Sequence, residues 1–177
     1  MNMSLYQSAL GAEYQALSPT LRRLHDGSAQ GWHGEAAVSW GRNKFARLLL
    51  RLARMPAQGK RIDCQVNLYP DNKGECWRRR FARRFMQSHQ ALRQGLLVES
   101  FGPLRLYLDN TVSAGGLIQR CVSTRFFGLP LPTWLGLSIT AREWSVGKQI
   151  HFDVTIGLNS GMHLLRYRGR LLPKVEV

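Results

Sequence analysis

An α+β domain dominated by antiparallel sheet is the fold class this sequence predicts, and three observations predict it. Segments that alternate apolar and polar residues recur from Glu35 to Leu171. The stretches between most of them are short and turn-forming, too short for the crossovers that parallel strands need. A single longer amphipathic pattern, Lys44–Met55, interrupts the series after its first strand. Together they predict a strongly curved antiparallel sheet or partly closed β-barrel of about eight strands, with short N-terminal helices and the helix 44–55 packed on it.

Taken in order, Leu5, Leu10, Tyr14 and Leu17 recur at near-helical spacing. Ser18-Pro19 is an N-cap followed by proline at the first helical position, so the spacing predicts a helical N-terminus over 4–26. Glu35–Trp40 alternates, with Ala36, Val38 and Trp40 on one side. Asn43 then caps the helix Lys44–Met55, which carries Phe45, Leu48, Leu49 and Leu52 on one stripe and Lys44, Arg47, Arg51 and Arg54 on the other. Pro56 ends it. The ordinary expectation for such a helix is that its leucines pack on the sheet while its arginines stay in water.

Ile62–Tyr69 and Cys76–Met86 read as two strands around the turn 70–74. The second would place Trp77, Phe81 and Phe85 on one face, with Arg79 and Arg83 between them at period two. Further strands follow at Leu96–Phe101, Leu104–Val112 and Leu117–Phe127, with a bulge, bend or edge expected at Gly102-Pro103 because proline cannot donate to a ladder. Gly136–Ser145 and Lys148–Leu158 form a hairpin about Val146-Gly147, and Met162–Leu171 closes the series.

The chain has 177 residues, of which 44% are hydrophobic and 20% charged. That is the size and balance of one globular domain, taken here as 1–177. No apolar run reaches the roughly 20 residues of a membrane-spanning helix, and the first residues lack the blocks of a secretory signal. Cys64, Cys76 and Cys121 have no metal-ligand spacing. The expected setting is a reducing cytoplasm, with no cofactor and no bound metal. The net charge is +14, and the third from Arg42 to Arg93 holds 14 lysines and arginines against three acids. Such a field suits nucleic acid, an acidic partner, a membrane surface or an anionic ligand, and equally serves solubility alone.

Several local patterns coincide. They are Leu10-Gly11 with Leu24-His25, Pro56 with Gly59, and Trp77-x-Arg79-x-Phe81 with Phe85 and Ser88. Glu99-x-Phe101-Gly102-Pro103 follows, then Phe152-Asp153-Val154, and finally Gly161 with Tyr167-x-Gly169-x-Leu171. In this order and spacing, from about Leu5 to Leu171, the chain resembles an uncharacterised family, a domain of unknown function found alone or fused behind saccharopine-dehydrogenase-like NAD-binding domains. The resemblance implies no activity. It suggests an accessory role beside a reductase-like partner enzyme.

No dinucleotide, phosphate-loop, zinc-protease or serine-hydrolase motif occurs. The informative residues are polar ones that share a face with core residues. Arg79 and Arg83 alternate with aromatics, Glu143 follows Leu137, Ile139 and Ala141, and His163 and Tyr167 flank Leu165. A structural account pairs Arg79 or Arg83 with Glu143 or Glu99, because a buried unpaired charge is costly. The functional account is a pocket for a small amphipathic or anionic ligand. Arg79 would anchor the head group, Trp77, Phe81, Phe152 and Tyr167 would line the wall, and Arg83 would stand in reserve. Any catalysis would fall to Glu143 or His163. The rival is nucleic-acid binding through an outward row of Arg78, Arg80 and Arg84. It is disfavoured because the aromatics needed for stacking are expected inside.

Overall fold

Alternation along the strands resolves into a closed ring. The computed structural model describes residues 3–174 and holds eleven strands. They are β1 (Gln30–Trp40), β2 (Gly59–Asp71), β3 (Gly74–Phe81), β4 (Arg84–Arg93), β5 (Leu96–Phe101), β6 (Leu104–Ser113), β7 (Gly116–Phe126), β8 (Leu129–Pro130), β9 (Leu137–Val146), β10 (Gln149–Leu158) and β11 (His163–Pro173). All pairings are antiparallel. They run β6-β5-β4-β3-β2-β1-β11-β10-β9-β7, and pairing of β6 with β7 closes the circle. The two-residue β8 is only an appendage of β7. The protein is therefore mostly β, a closed ten-stranded barrel rather than a partly closed sheet of about eight strands within an α+β domain.

The main departure from the sequence reading lies in the central hairpin. Cys76–Met86 is not one strand: a two-residue loop, Ala82-Arg83, folds the chain back so that Phe81 pairs with Arg84. Ala82 has φ 50°, the left-handed first position of a primed hairpin turn that glycine usually fills. No glycine, asparagine or proline marks it, and in the sequence the apolar period runs straight through. The turn reverses the parity of the strand after it. Ser88 and Gln90 on β4 are buried, whereas Phe85 is 73% exposed and Arg83 lies exposed in the loop. Gly102-Pro103 is likewise a tight hairpin loop, with Phe101 paired to Leu104.

The N-terminal helices form as expected. Ser4 caps α1 (Leu5–Leu10) in a capping box with Gln7, and Ser18 caps α2 (Pro19–Leu24). A 3-10 turn, Gly11–Ala16, links them. They close one end of the barrel, burying Tyr6, Leu10, Tyr14, Leu21 and Leu24 in the barrel core with Leu97, Leu117 and Ile150. Ser18 donates its backbone N–H to the Gly115 carbonyl at 2.9 Å, and Thr20 Oγ1 donates to the Gly147 carbonyl at 2.8 Å. Both acceptors sit in hairpin loops of the same barrel end.

The third helix, α3 (Lys44–Leu52), leaves β1 at the opposite end. Asn43 caps it, as expected. It does not bury its leucine stripe. Ala46 and Leu50 pack inward, Leu50 against Val38 and Leu165, while Phe45, Leu48, Leu49 and Leu52 lie in the open at 69, 50, 49 and 71% exposure. The strongest apolar stripe in the sequence thus faces away from the barrel.

Closing the ring demands close backbone approach between β1 and β11. A Cβ added at Gly169 would overlap the Glu35 carbonyl oxygen and lie 2.8 Å from Phe152 Cζ. The G169A variant is expected to lose about 3 kcal/mol, at the upper end of overpacking costs, because neither backbone nor ring has room to yield. Urea denaturation with and without the substitution measures the loss, and an unchanged midpoint would contradict it.

Candidate functional site

Inward residues of the ring leave a cavity of about 620 Å³. Its wall is mainly aliphatic and aromatic, drawn from nearly every strand: Leu106, Ile139, Ile150, Phe152, Val154 and Phe81 are examples. Leu24 of α2 lies at the plugged end, and Ala53, Arg54 and Met55 after α3 border the other, with Phe85 and Leu104. The closed floor and open mouth follow from which loops carry helices that pack inward.

Polar groups enter this wall from strands on both sides. Arg79 reaches in from β3. Its Nη2 donates to Glu99 Oε1 at 2.9 Å, its Nη1 donates to Ser88 Oγ at 2.8 Å, and its guanidinium lies 4.8 Å from the Trp77 ring centre. Ser88 Oγ in turn donates to the same Glu99 oxygen at 2.6 Å. Burial is the largest single influence and works against the charged guanidinium, but the charge and hydrogen bond of Glu99, together with Tyr167 and Tyr6, hold Arg79 above its ordinary range. Tyr167 shares the cavity, and burial pushes its phenol up to about 12, against the pull of Arg79. The Phe81 ring meets Tyr167 edge-on at 5.5 Å.

Across the barrel, Glu143 on β9 also faces in. It is not free: its Oε2 lies 2.8 Å from His25 Nε2, and His25 is fully buried at the C-cap of α2. The imidazole sits 3.8 Å from the Tyr6 ring, centre to centre. A histidine at the end of a helix already interacts favourably with the dipole, so its position alone does not point to a distant partner. His25 and Glu143 are separated by 118 positions, and nothing local in the chain signals their meeting.

Of the residues singled out from sequence, Arg79, Trp77, Phe81, Phe152, Tyr167 and Glu143 all line the cavity. Arg83 does not, because it belongs to the hairpin loop. His163 does not either. A bulge between β10 and β11 pairs Ile156 with Leu165 but Gly157 with His163, so the extra residue Leu164 turns inward and His163 turns out. The expected basic row also breaks up. Arg80 pairs with Asp63 at 3.0 Å, Arg78 lies over Tyr69, and Arg84 belongs to β4. Sequence reasoning missed Ser88 as a hydrogen-bond partner of Arg79, though the switch of parity after Ala82 accounts for its inward aim. Among the described residues, no cluster of three histidine, cysteine or acidic side chains is placed to hold a metal ion.

A family model described as a domain of unknown function, DUF4166, matches residues 17–171. The chain belongs to the DUF4166 family. No curated protein matches its sequence. Among solved structures, this DUF4166 chain is similar to a protein of unknown function from the DUF3598 family of Nostoc punctiforme, with a TM-score of 0.45 and 8% identity. The alignment covers 82% of this chain and 47% of that one, so the DUF4166 chain spans about half the length of that protein.

Two outcomes follow from the buried charges. R79M alone strands Glu99 and is expected to cost about 3–5 kcal/mol, whereas R79M with E99L should recover most of that loss. Equal destabilisation of single and double variants in urea melts would show that the pair is not coupled. The second outcome concerns Glu75, deep under the N-terminal helices at 2% exposure. Trp77 Nε1 donates to its Oε2 at 3.2 Å, while Oε1 has no hydrogen-bond partner among the described residues. Burial raises its pKa, so folding favours the neutral acid. The resulting penalty is absent below the unfolded carboxyl range and grows as pH rises through it. E75Q should therefore raise Tm at pH 7 by about 2–4 °C, the effect of ~1 kcal/mol in a domain of this size. The gain should vanish below about pH 4, where Glu75 is neutral in both states. A gain independent of pH would rule the explanation out.

Proposed function

We propose that the barrel binds a small amphipathic molecule, with its apolar body in the cavity and its polar head beside Arg79 and Tyr167. The observation that supports this reading is the cavity itself. Its volume of about 620 Å³ lies in the range typical of small-molecule sites, and so does its make-up of apolar wall with a few convergent polar groups. An arginine and a phenol on the cavity wall, close enough for the charge of one to act on the other, give such a head group both donors and an acceptor.

The charge balance refines the class of ligand. Arg79 is already met by Glu99, and Glu143 brings a second carboxylate to the same wall. A bare anion would meet two negative groups along with one positive one. A neutral head that exchanges hydrogen bonds, such as a hydroxyl, carbonyl or amide, fits this environment better than a phosphate. The site binds and shelters such a molecule, and no reaction is assigned to it.

Native mass spectrometry of gently purified protein is expected to show a one-to-one small adduct. An apolar fluorescent probe should enter stripped protein at a single saturable site and be displaced by the extracted adduct. The I139W variant, which fills the cavity, should lose probe uptake. R79M/E99L should still take up the apolar probe but bind the polar-headed adduct about tenfold more weakly or worse, the loss of one or two hydrogen bonds. No adduct combined with no saturable uptake would overturn the reading.

A further inference from the structure

The two ends of the barrel differ in chemistry as well as in shape. Because the strands alternate in direction, the loops after β1, β3, β5, β7 and β10 all emerge at the end opposite the N-terminal helices. Large apolar side chains collect there. The four on α3 are joined by Phe85 at 73% exposure, and on the loop between β7 and β9 by Phe127, Leu129 and Trp134 at 75, 72 and 63%. In the ring that loop lies about halfway round from α3, so the exposed apolar groups flank the mouth on both sides.

The charge at this end is one-sided. The segments 41–58, 82–84, 102–105, 125–136 and 159–163 contain nine lysines and arginines and no aspartate or glutamate. Along α3 itself the exposed leucine stripe runs beside Lys44, Arg47 and Arg51. Apolar side chains edged by cations, with a tryptophan and phenylalanines among them, are the composition of an element that lies in the headgroup layer of a membrane. Anionic lipids supply the complementary charge. A second copy of this chain would not: two such collars brought face to face would repel.

We propose that the open end of the barrel docks on an anionic lipid bilayer, with the Phe45, Leu48, Leu49 and Leu52 face of α3 set among the headgroups and the cavity mouth against the membrane. This inference stands on the rim and not on the occupant of the cavity. Ligand capture is read without vesicles, so either can fail alone.

Co-sedimentation of the full chain with phosphatidylcholine vesicles, with and without phosphatidylglycerol, tests it. The protein should pellet with the anionic vesicles and stay in solution with the neutral ones. L48Q/L52Q, on side chains already in solvent, should keep its Tm and weaken binding by about tenfold or more. R51E should also weaken binding, while K148E, the same change of charge in a loop at the plugged end, should not. Equal effects of R51E and K148E would mean attraction by net charge alone and would overturn the proposal. So would failure to pellet with either vesicle, or a dimer seen by light scattering that L48Q/L52Q dissociates. Retention on an acidic protein but not on anionic vesicles would overturn it as well.

Discussion

Closure of the strand ring is the constraint on which the rest of this structure depends. Pairing β6 with β7 leaves the barrel with no long open edge, so the ladder groups along the ring find partners within it. It also forces each strand to present one set of side chains inward. Eight strands enclose an interior that side chains just fill or that holds one small ligand, and diameter grows with strand number. Ten strands lined largely by leucine, isoleucine and valine leave space over, and the cavity is that space.

Polar groups inside such a ring survive only in company. Arg79 meets Glu99 and Ser88, and Glu143 meets His25. Arg79 links three successive strands, β3, β4 and β5, while the contact of His25 with Glu143, 118 positions apart, ties the wall to the plug. Glu99 is held from β3 and β4, and Glu143 is held from α2. The N-terminal helices are therefore part of the cavity's construction, supplying Leu24 to its lining and His25 to the group behind it. Any guest would enter an interior whose arginine is already met by a carboxylate, which is why the cavity suits a molecule with little net charge.

The asymmetry between the ends has the same origin. Antiparallel order sends alternate loops to opposite ends, and only one end receives the helices that pack inward. The other keeps α3, tethered by Leu50 and by the Trp40 indole, which donates to the Pro56 carbonyl at 2.9 Å. These contacts anchor the helix and leave its wider apolar face without a partner among the described residues. Stability does not explain that face, since leucines in water gain nothing from burial. Its basic surroundings give it a reason to be there.

Antiparallel strands, the caps of α2 and α3, and the inward aim of Arg79, Trp77, Phe81, Phe152, Tyr167 and Glu143 are all legible in the chain's local pattern. These are consequences of local periodicity and capping chemistry, which do not depend on distant partners. Only the tertiary structure decided where parity changes: at Ala82, whose left-handed turn carries no marker residue, and at the Leu164 bulge, which moves His163 outside. It alone joined His25 to Glu143, and it alone showed that α3 turns its leucines outward. A sequence pattern states that a face is apolar. What that face meets depends on how the ring closes, and closure is a property of strands far apart in the chain.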